Sequence, residues 1–278
     1  MITINIDPII FSLGPFSMRW YGLMYVVGIT VGLFAAWPYA TKYQGIPADK
    51  LEKIVYWAVP AGLVGARLYF VLQQPLGPYI SEPWRILAFW EGGMAFYGAI
   101  FATLIVVGIL AYRYKISFWK IMDMAGIFAI VGQFFGRIGN FINGDVIGYP
   151  TNLPWGVVYA NPNSFAPDHT IAYQPAAVYE AISNIIIFVI LWNLRKRLKP
   201  GFLFLTYLFA YSISQIILFT WRDNVVILWG LKQAQLTSIG VFIIGAGVFV
   251  WLLRRQRRLD KEDAGPDVES KPATSTKE

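Results

Sequence analysis

Residues 117–148 read SFWKIMDMAGIFAIVGQFFGRIGNFINGDVIG. The first part, 117–136, is predominantly apolar, and a helix needs about 20 such residues to cross a bilayer. From Gly136 the character changes within one turn. Gly136, Gly139, Gly144 and Gly148 now alternate with Arg137, Asn140, Asn143 and Asp145. The glycines let the backbone turn tightly and approach a ligand closely. This is a helix that leaves lipid through a polar, glycine-rich exit, and it makes lipid the solvent against which the rest of the chain is read.

The composition agrees. Of 278 residues, 56% are hydrophobic and only 14% charged, and the mean hydropathy is +0.51. A soluble domain is nearer 45–50% apolar and about 25% charged. Working outward from residue 117, apolar spans are expected near 18–40, 54–73, 94–112, 117–136, 175–194, 202–221 and 236–253. The fold class is therefore an all-α polytopic membrane protein with about seven transmembrane helices. Pro38 and Pro60 fall inside the first two spans and are expected to kink them. Eleven Trp and 16 Tyr suit aromatic belts at the two interfaces. No internal repeat is evident.

Basic residues set the orientation. One set of loops and the tail hold Lys42, Lys50, Lys53, Arg113, Lys115, Lys120, Arg195, Lys196, Arg197, Lys199, Arg254, Arg255, Arg257, Arg258 and Lys261. The other side holds Arg19, Arg85, Arg137, Arg222 and Lys232. That is 15 against 5, which predicts an outward N-terminus and a cytoplasmic C-terminus. Residues 1–253 form the membrane domain, with a small outward-facing head at about 137–174. Residues 254–278 are a basic, then disordered, cytoplasmic tail, since the segment after Arg258 lacks apolar residues to bury. The N-terminus reads as no cleavable signal peptide: it has no basic start, and Pro8, Gly14 and Pro15 interrupt its first apolar stretch.

Several chemistries are excluded. There is no cysteine, hence no disulfide, thiolate nucleophile or cysteine metal site, and the single histidine, His169, argues against a histidine-rich metal site or a Ser-His-Asp triad. His169 reads as a surface residue of the head. The net charge of +7 lies mainly in loops and tail, so topology explains it better than nucleic acid, and no nucleic-acid partner is expected. Arg137, with a planar fork that grips phosphate, sits among two Asn and one Asp where hydrocarbon meets water, which suits a lipid headgroup. The bland alternative is a helix exit with a snorkelling arginine. Arg67, Asp123 and Glu180 lie at membrane depth, where charges are costly. They line a polar chamber or form structural pairs such as Arg67 with Glu180.

The stretch 136–148 resembles the signature of the bacterial prolipoprotein diacylglyceryl transferases, Gly-Arg-x-Gly-Asn-Phe-x-Asn-Gly-Glu-x-x-Gly, with Asp145 in place of Glu. The resemblance runs over 1–253. It includes Arg19-Trp20-Tyr21-Gly22-Leu23-Met24-Tyr25, Gly65-Ala66-Arg67-Leu68, Glu91-Gly92-Gly93-Met94-Ala95-Phe96-Tyr97-Gly98, Gln174-Pro175 with Tyr179-Glu180-Ala181, and Arg222. Tyr97 stands where the family has histidine. A tyrosine ordinarily keeps its proton at neutral pH and donates a hydrogen bond.

The family moves the diacylglyceryl group of phosphatidylglycerol to the thiol of a lipobox cysteine in a preprolipoprotein, with glycerol phosphate leaving. The resemblance then implies a lipid enzyme of the bacterial inner membrane whose partners are phosphatidylglycerol, lipobox-containing preprolipoproteins and membrane lipids. It implies no cofactor and no metal. Arg137, Arg222, Tyr97 and Asp145 become the catalytic candidates. Arg137, Asn140, Asn143, Gly139, Tyr21 and Glu180 become the substrate-binding ones. Asp145 is expected to order the loop through Arg137. A transporter, or a noncatalytic lipid-binding relative, is the rival reading.

Overall fold

In the computed structural model, which describes residues 1–14, 16–88 and 93–263, the chain opens with β1 (Ile2–Ile4) and the hairpin of β2 (Ile9–Leu13) with β3 (Phe16–Arg19). Then follow α1 (Trp20–Pro38), extended by a π-helical turn at Tyr39–Tyr43, and α2 (Ala48–Leu72). A short α3 (Gly77–Ser81) and a 3-10 turn at Pro83–Leu87 precede α4 (Phe96–Arg113) and α5 (Phe118–Asn143). After β4 (Val157–Tyr159) come α6 (Ala176–Leu194), α7 (Phe202–Leu218), the hairpin of β5 (Val226–Leu228) with β6 (Leu231–Lys232), and α8 (Gln233–Asp263).

Six of these helices are long and apolar enough to cross a membrane, while α7 has only 17 residues. Large apolar side chains such as Phe34, Ile105, Ile186 and Ile243 stand exposed on the helix faces, where lipid rather than water is their natural solvent. The chain is an all-α, multi-pass membrane protein.

α5 is the central helix and packs against α1, α6 and α7. Its Ile127 and Ile130 join Ala36 of α1, Leu191 of α6 and Leu203 of α7 in the core. α2 and α4 form a pair of their own. Their backbones touch at Gly65 and Gly98. A Cβ added at Gly98 would lie 2.3 Å from the Gly65 carbonyl oxygen, and one at Gly65 2.5 Å from that of Gly98. Only glycine permits that approach, and small residues are the usual means by which membrane helices gain close packing. Pro38 ends α1 where the wider π turn begins, and Pro60 is carried inside α2.

Several boundaries differ from the sequence-based expectation. α5 runs on to Asn143, so the head begins after Gly144 rather than at 137. Polar residues disguise these last turns, but Phe141 still packs on the head's apolar side chains. Gly144 ends the helix in the left-handed conformation, φ 73°, and its N–H bonds to the Asn140 carbonyl at 2.8 Å. α7 stops at Leu218, because Thr220 and Trp221 turn back onto the Ile217 and Leu218 carbonyls. α8 continues through the basic residues to Asp263, all fair helix formers. The expected tail thus starts as helix, and residues 264–278 lie outside the described ones.

Two buried charges have structural duties. Asp123 is fully buried and accepts the Gly201 N–H (2.8 Å) and the Phe204 N–H (2.9 Å). It caps α7 from the neighbouring helix. Arg67 donates to the carbonyls of Ile86 (3.1 Å), Gly93 (3.3 Å) and Arg85 (2.7 Å). Arg67 therefore ties down the connection before α4 and is not the partner expected for Glu180.

The head is held by β1, which pairs parallel with β4, and by bridges from Tyr173 to Val157 and Pro150. Val157, Tyr159, Ala166 and Tyr173 form its small core. His169 is half-buried, with Nδ1 2.8 Å from the Tyr159 carbonyl, so it staples the head from within. Thr170 donates its hydroxyl and N–H to Asp168, which holds that carboxyl below its ordinary range.

Candidate functional site

Glu180 sits one turn into α6 and is 1% exposed. A lone carboxylate so placed is costly unless paired. It is paired twice. Arg137 Nη2 of α5 lies 2.7 Å from Oε2, and Arg222 Nη1, just beyond α7, lies 3.2 Å from Oε1. Gln215 of α7 donates to Oε2 at 3.4 Å. One anion thus holds two guanidiniums side by side, and the three charges sum to +1.

The arginines are braced further. Arg137 Nη1 donates to Asn140 Oδ1 at 3.0 Å, one turn along α5. Asn140 Nδ2 in turn donates to both carboxylate oxygens of Asp145, each at 3.1 Å. No ion pair joins Asp145 to Arg137 among the described residues, so Asp145 reaches the arginine through the Asn140 amide. The expected ordering of the loop through Arg137 is thus relayed by an amide. The shorter arm of Asp145 suffices because the Gly144 turn brings it back toward the helix.

Arg222 is fixed through its backbone. It bridges Gly148, and the next N–H, of Asp223, points to the Ile147 carbonyl. Lys232, only 5% exposed, donates Nζ to the Phe219 carbonyl at 2.7 Å and to the Arg222 carbonyl. The Arg222 guanidinium lies 4.4 Å above the Phe219 ring, and its Nε has no partner among the described residues.

The remaining candidates fall around this centre. Tyr21 of α1 stands near Arg137 and Asp145, its hydroxyl 2.9 Å from that of Tyr25. Gly139 permits this, since a Cβ there would sit 3.0 Å from the Tyr21 Cα. Asn143 belongs to a different set of bonds. Its side chain accepts from Arg19 Nη1 at 3.2 Å and its carbonyl accepts the Phe165 N–H at 2.9 Å, so it joins the end of β3, just before α1, to the head. Tyr97 begins α4, is 38% exposed, and its hydroxyl is 3.3 Å from that of Thr237 on α8. No hydrogen bond connects it to the arginine pair among the described residues. Glu91 and Gly92 of its motif lie outside those residues.

Three residues of this site escaped the sequence reading. Tyr211 of α7 faces both Arg137 and Glu180, Gln215 holds Glu180, and Lys232 holds Arg222. Tyr211 and Gln215 are four apart in an apolar span, which places both on one helix face. Lys232 interrupts a largely apolar stretch that begins at Val225.

Two basic groups fixed around one carboxylate leave net positive charge at the exit of a membrane helix. The profile of the family described as prolipoprotein diacylglyceryl transferase matches residues 8–251. A Trichormus variabilis protein named phosphatidylglycerol–prolipoprotein diacylglyceryl transferase is 33% identical over 275 residues, 95% of this chain and 94% of that one. Proteins of the same name from Staphylococcus xylosus and Rickettsia canadensis are each 36% identical, over 274 and 259 residues. The first alignment covers 96% of this chain and 97% of the relative, the second 89% and 97%.

Proposed function

The chain belongs to the prolipoprotein diacylglyceryl transferase family and is a transferase of that kind, and we propose that the Arg137–Glu180–Arg222 cluster is where it binds and cleaves its lipid donor. That donor is phosphatidylglycerol, and the acceptor is the lipobox cysteine of a prolipoprotein. The observation that carries the assignment is the single carboxylate holding two guanidiniums, with one net positive charge left for a phosphate.

In this mechanism Arg137, braced by Asn140, grips the phosphodiester. The acceptor sulfur attacks the glyceryl carbon next to the ester oxygen. A C–S bond forms, the C–O bond breaks, and its electron pair stays on the phosphate of the departing glycerol phosphate. The phosphate gains negative charge as the bond breaks, and cations already fixed in place stabilise that charge better than water can. Arg222 faces the leaving phosphate. A free thiol has a pKa of about 8.5, and nearby cations lower it. Both oxygens of Glu180 are engaged by guanidiniums, so the thiol proton passes to water or to the exposed Asp145 carboxylate. Tyr97 serves at the rim as a hydrogen-bonding group rather than a base. Nothing in the fold or the comparisons favours the transporter or the noncatalytic relative.

The protein works in the bacterial cytoplasmic membrane with the Arg137 end of the bundle outward and the C-terminus inside, on the strength of the basic asymmetry. A reporter inserted near Asn163 is then external, and its appearance in the cytoplasm would reverse the orientation. The function is tested by mixing purified protein, phosphatidylglycerol and a lipobox peptide and reading the peptide mass. A diacylglyceryl adduct with stoichiometric glycerol phosphate is expected. An unmodified peptide with a folded protein would refute it.

A further inference from the structure

The opposite end of the bundle carries a second basic site that the transfer reaction does not use. Lys120 lies on the first turn of α5, and 17 residues separate it from Arg137, about 25 Å along a helix at 1.5 Å per residue. Here Tyr43, Gln44, Lys120, Arg195, Lys196, Leu198 and Pro200 line a groove of about 350 Å³, within the roughly 300–1,000 Å³ range of ligand pockets.

The groove walls are already ordered. Lys120 donates to the Gln44 carbonyl at 2.7 Å and retains two further donors. Arg195 lies 3.8 Å over the Trp192 ring and donates Nη1 to the Trp192 carbonyl. Lys196 sits 4.6 Å from the Tyr43 ring centre. Each cation is thus held by a ring or a carbonyl, and none of the three forms an ion pair among the described residues. Arg195 Nε is moreover buried without a partner among the described residues, and a buried donor left unpaired is costly. The amino end of the α5 dipole points to the same face and adds to the positive potential. Of the acids nearby, Asp123 is spent on the α7 amides and Asp260 on Lys199.

We propose that this groove binds the phosphate of an anionic glycerophospholipid headgroup, at the membrane face opposite the transfer site. Basic pockets between membrane helices recognise anionic headgroups in this way. Tyr43 and Leu198 supply the apolar edge along which the glyceryl backbone leaves toward lipid. The site holds a lipid of the inner leaflet and leaves it chemically unchanged.

The test counts lipids. Wild-type protein and an Arg195→Gln/Lys196→Gln variant are exchanged into detergent with dioleoyl phosphatidylglycerol or dioleoyl phosphatidylcholine, and retained lipids are counted by native mass spectrometry. The wild type should retain one more phosphatidylglycerol than the variant and no extra phosphatidylcholine. Transfer with excess donor should be the same for both, which separates this site from the arginine pair. A Lys196→Glu variant, altered only at an exposed side chain, should behave as the double variant. An Arg254→Gln/Arg258→Gln protein should behave as wild type. If inorganic phosphate raises the wild-type melting temperature, but not that of the variant, while lipid counts stay equal, the anion is free phosphate. Equal lipid counts with no phosphate effect would overturn the proposal.

Discussion

Arg137 of α5 and Glu180 of α6 meet at 2.7 Å across the helix interface, with the carboxylate all but sealed from solvent. Because Glu180 also holds Arg222, neutralising it leaves two adjacent guanidiniums uncompensated. Removing one partner of a buried pair costs about 3–5 kcal/mol. Glu180→Gln is therefore expected to melt well below wild type and to lose transfer activity. Wild-type melting and turnover in that variant would show that the shared carboxylate is dispensable.

The guanidiniums themselves are expected to matter most in the transition state. Arg137→Ala should lose roughly a hundredfold or more in kcat, the usual cost of one such electrostatic donor, about 3 kcal/mol. Arg137→Lys should recover little, since an ammonium cannot hold Glu180 and a phosphate with one planar fork. Arg222→Ala should behave alike. Near-normal turnover in a well-folded Arg137→Ala protein would remove the phosphate assignment.

Asn140 faces Arg137 with its oxygen and Asp145 with its nitrogen. Asn140→Asp should be damaging, because it sets two carboxylates against each other. Combined with Asp145→Asn, it should recover activity, since an amide then again donates to a carboxylate. The coupling expected for contacting residues is about 0.5–3 kcal/mol, read from a double-mutant cycle on transfer rates. Strict additivity would separate the two side chains.

Tyr97 touches Thr237 and not the arginine pair. Tyr97→Phe should cost about 1 kcal/mol, one hydrogen bond, and leave the shape of the pH–rate profile unchanged. Thr237→Val should cost the same, and the two together no more. Complete loss of transfer in a folded Tyr97→Phe protein would make the phenol a direct participant.

Spans were legible because lipid demands long apolar runs, and the signature stretch was legible because its polar residues and glycines crowd into one short segment. What escaped was set by tertiary contact. Arg137 to Asn143 read as an exit loop, since polarity hid a helical continuation whose apolar side, Phe141, is covered by the head. Arg67 and Glu180 suggested each other as opposite charges at membrane depth. Yet the nearest carbonyls claimed Arg67, and two arginines from α5 and the end of α7 claimed Glu180. Asp123 looked like part of a chamber, but its true neighbours are amides on a helix some eighty positions later. Lys232 gave no local sign of its bonds to the turn after α7.

The brevity of α7 has a geometric consequence. Its 17 residues span about 25 Å at 1.5 Å per residue, against a hydrocarbon thickness of about 30 Å. Its first turn is pinned by Asp123, so in the proposed orientation its other end, with Arg222 just beyond, should stop short of the far surface. A phospholipid bound at the proposed site should then draw the bilayer locally thinner, the usual response to a short span. On that reading membranes of longer-chain lipids should present their headgroups too high and slow the enzyme, which transfer rates across donors of increasing chain length would check.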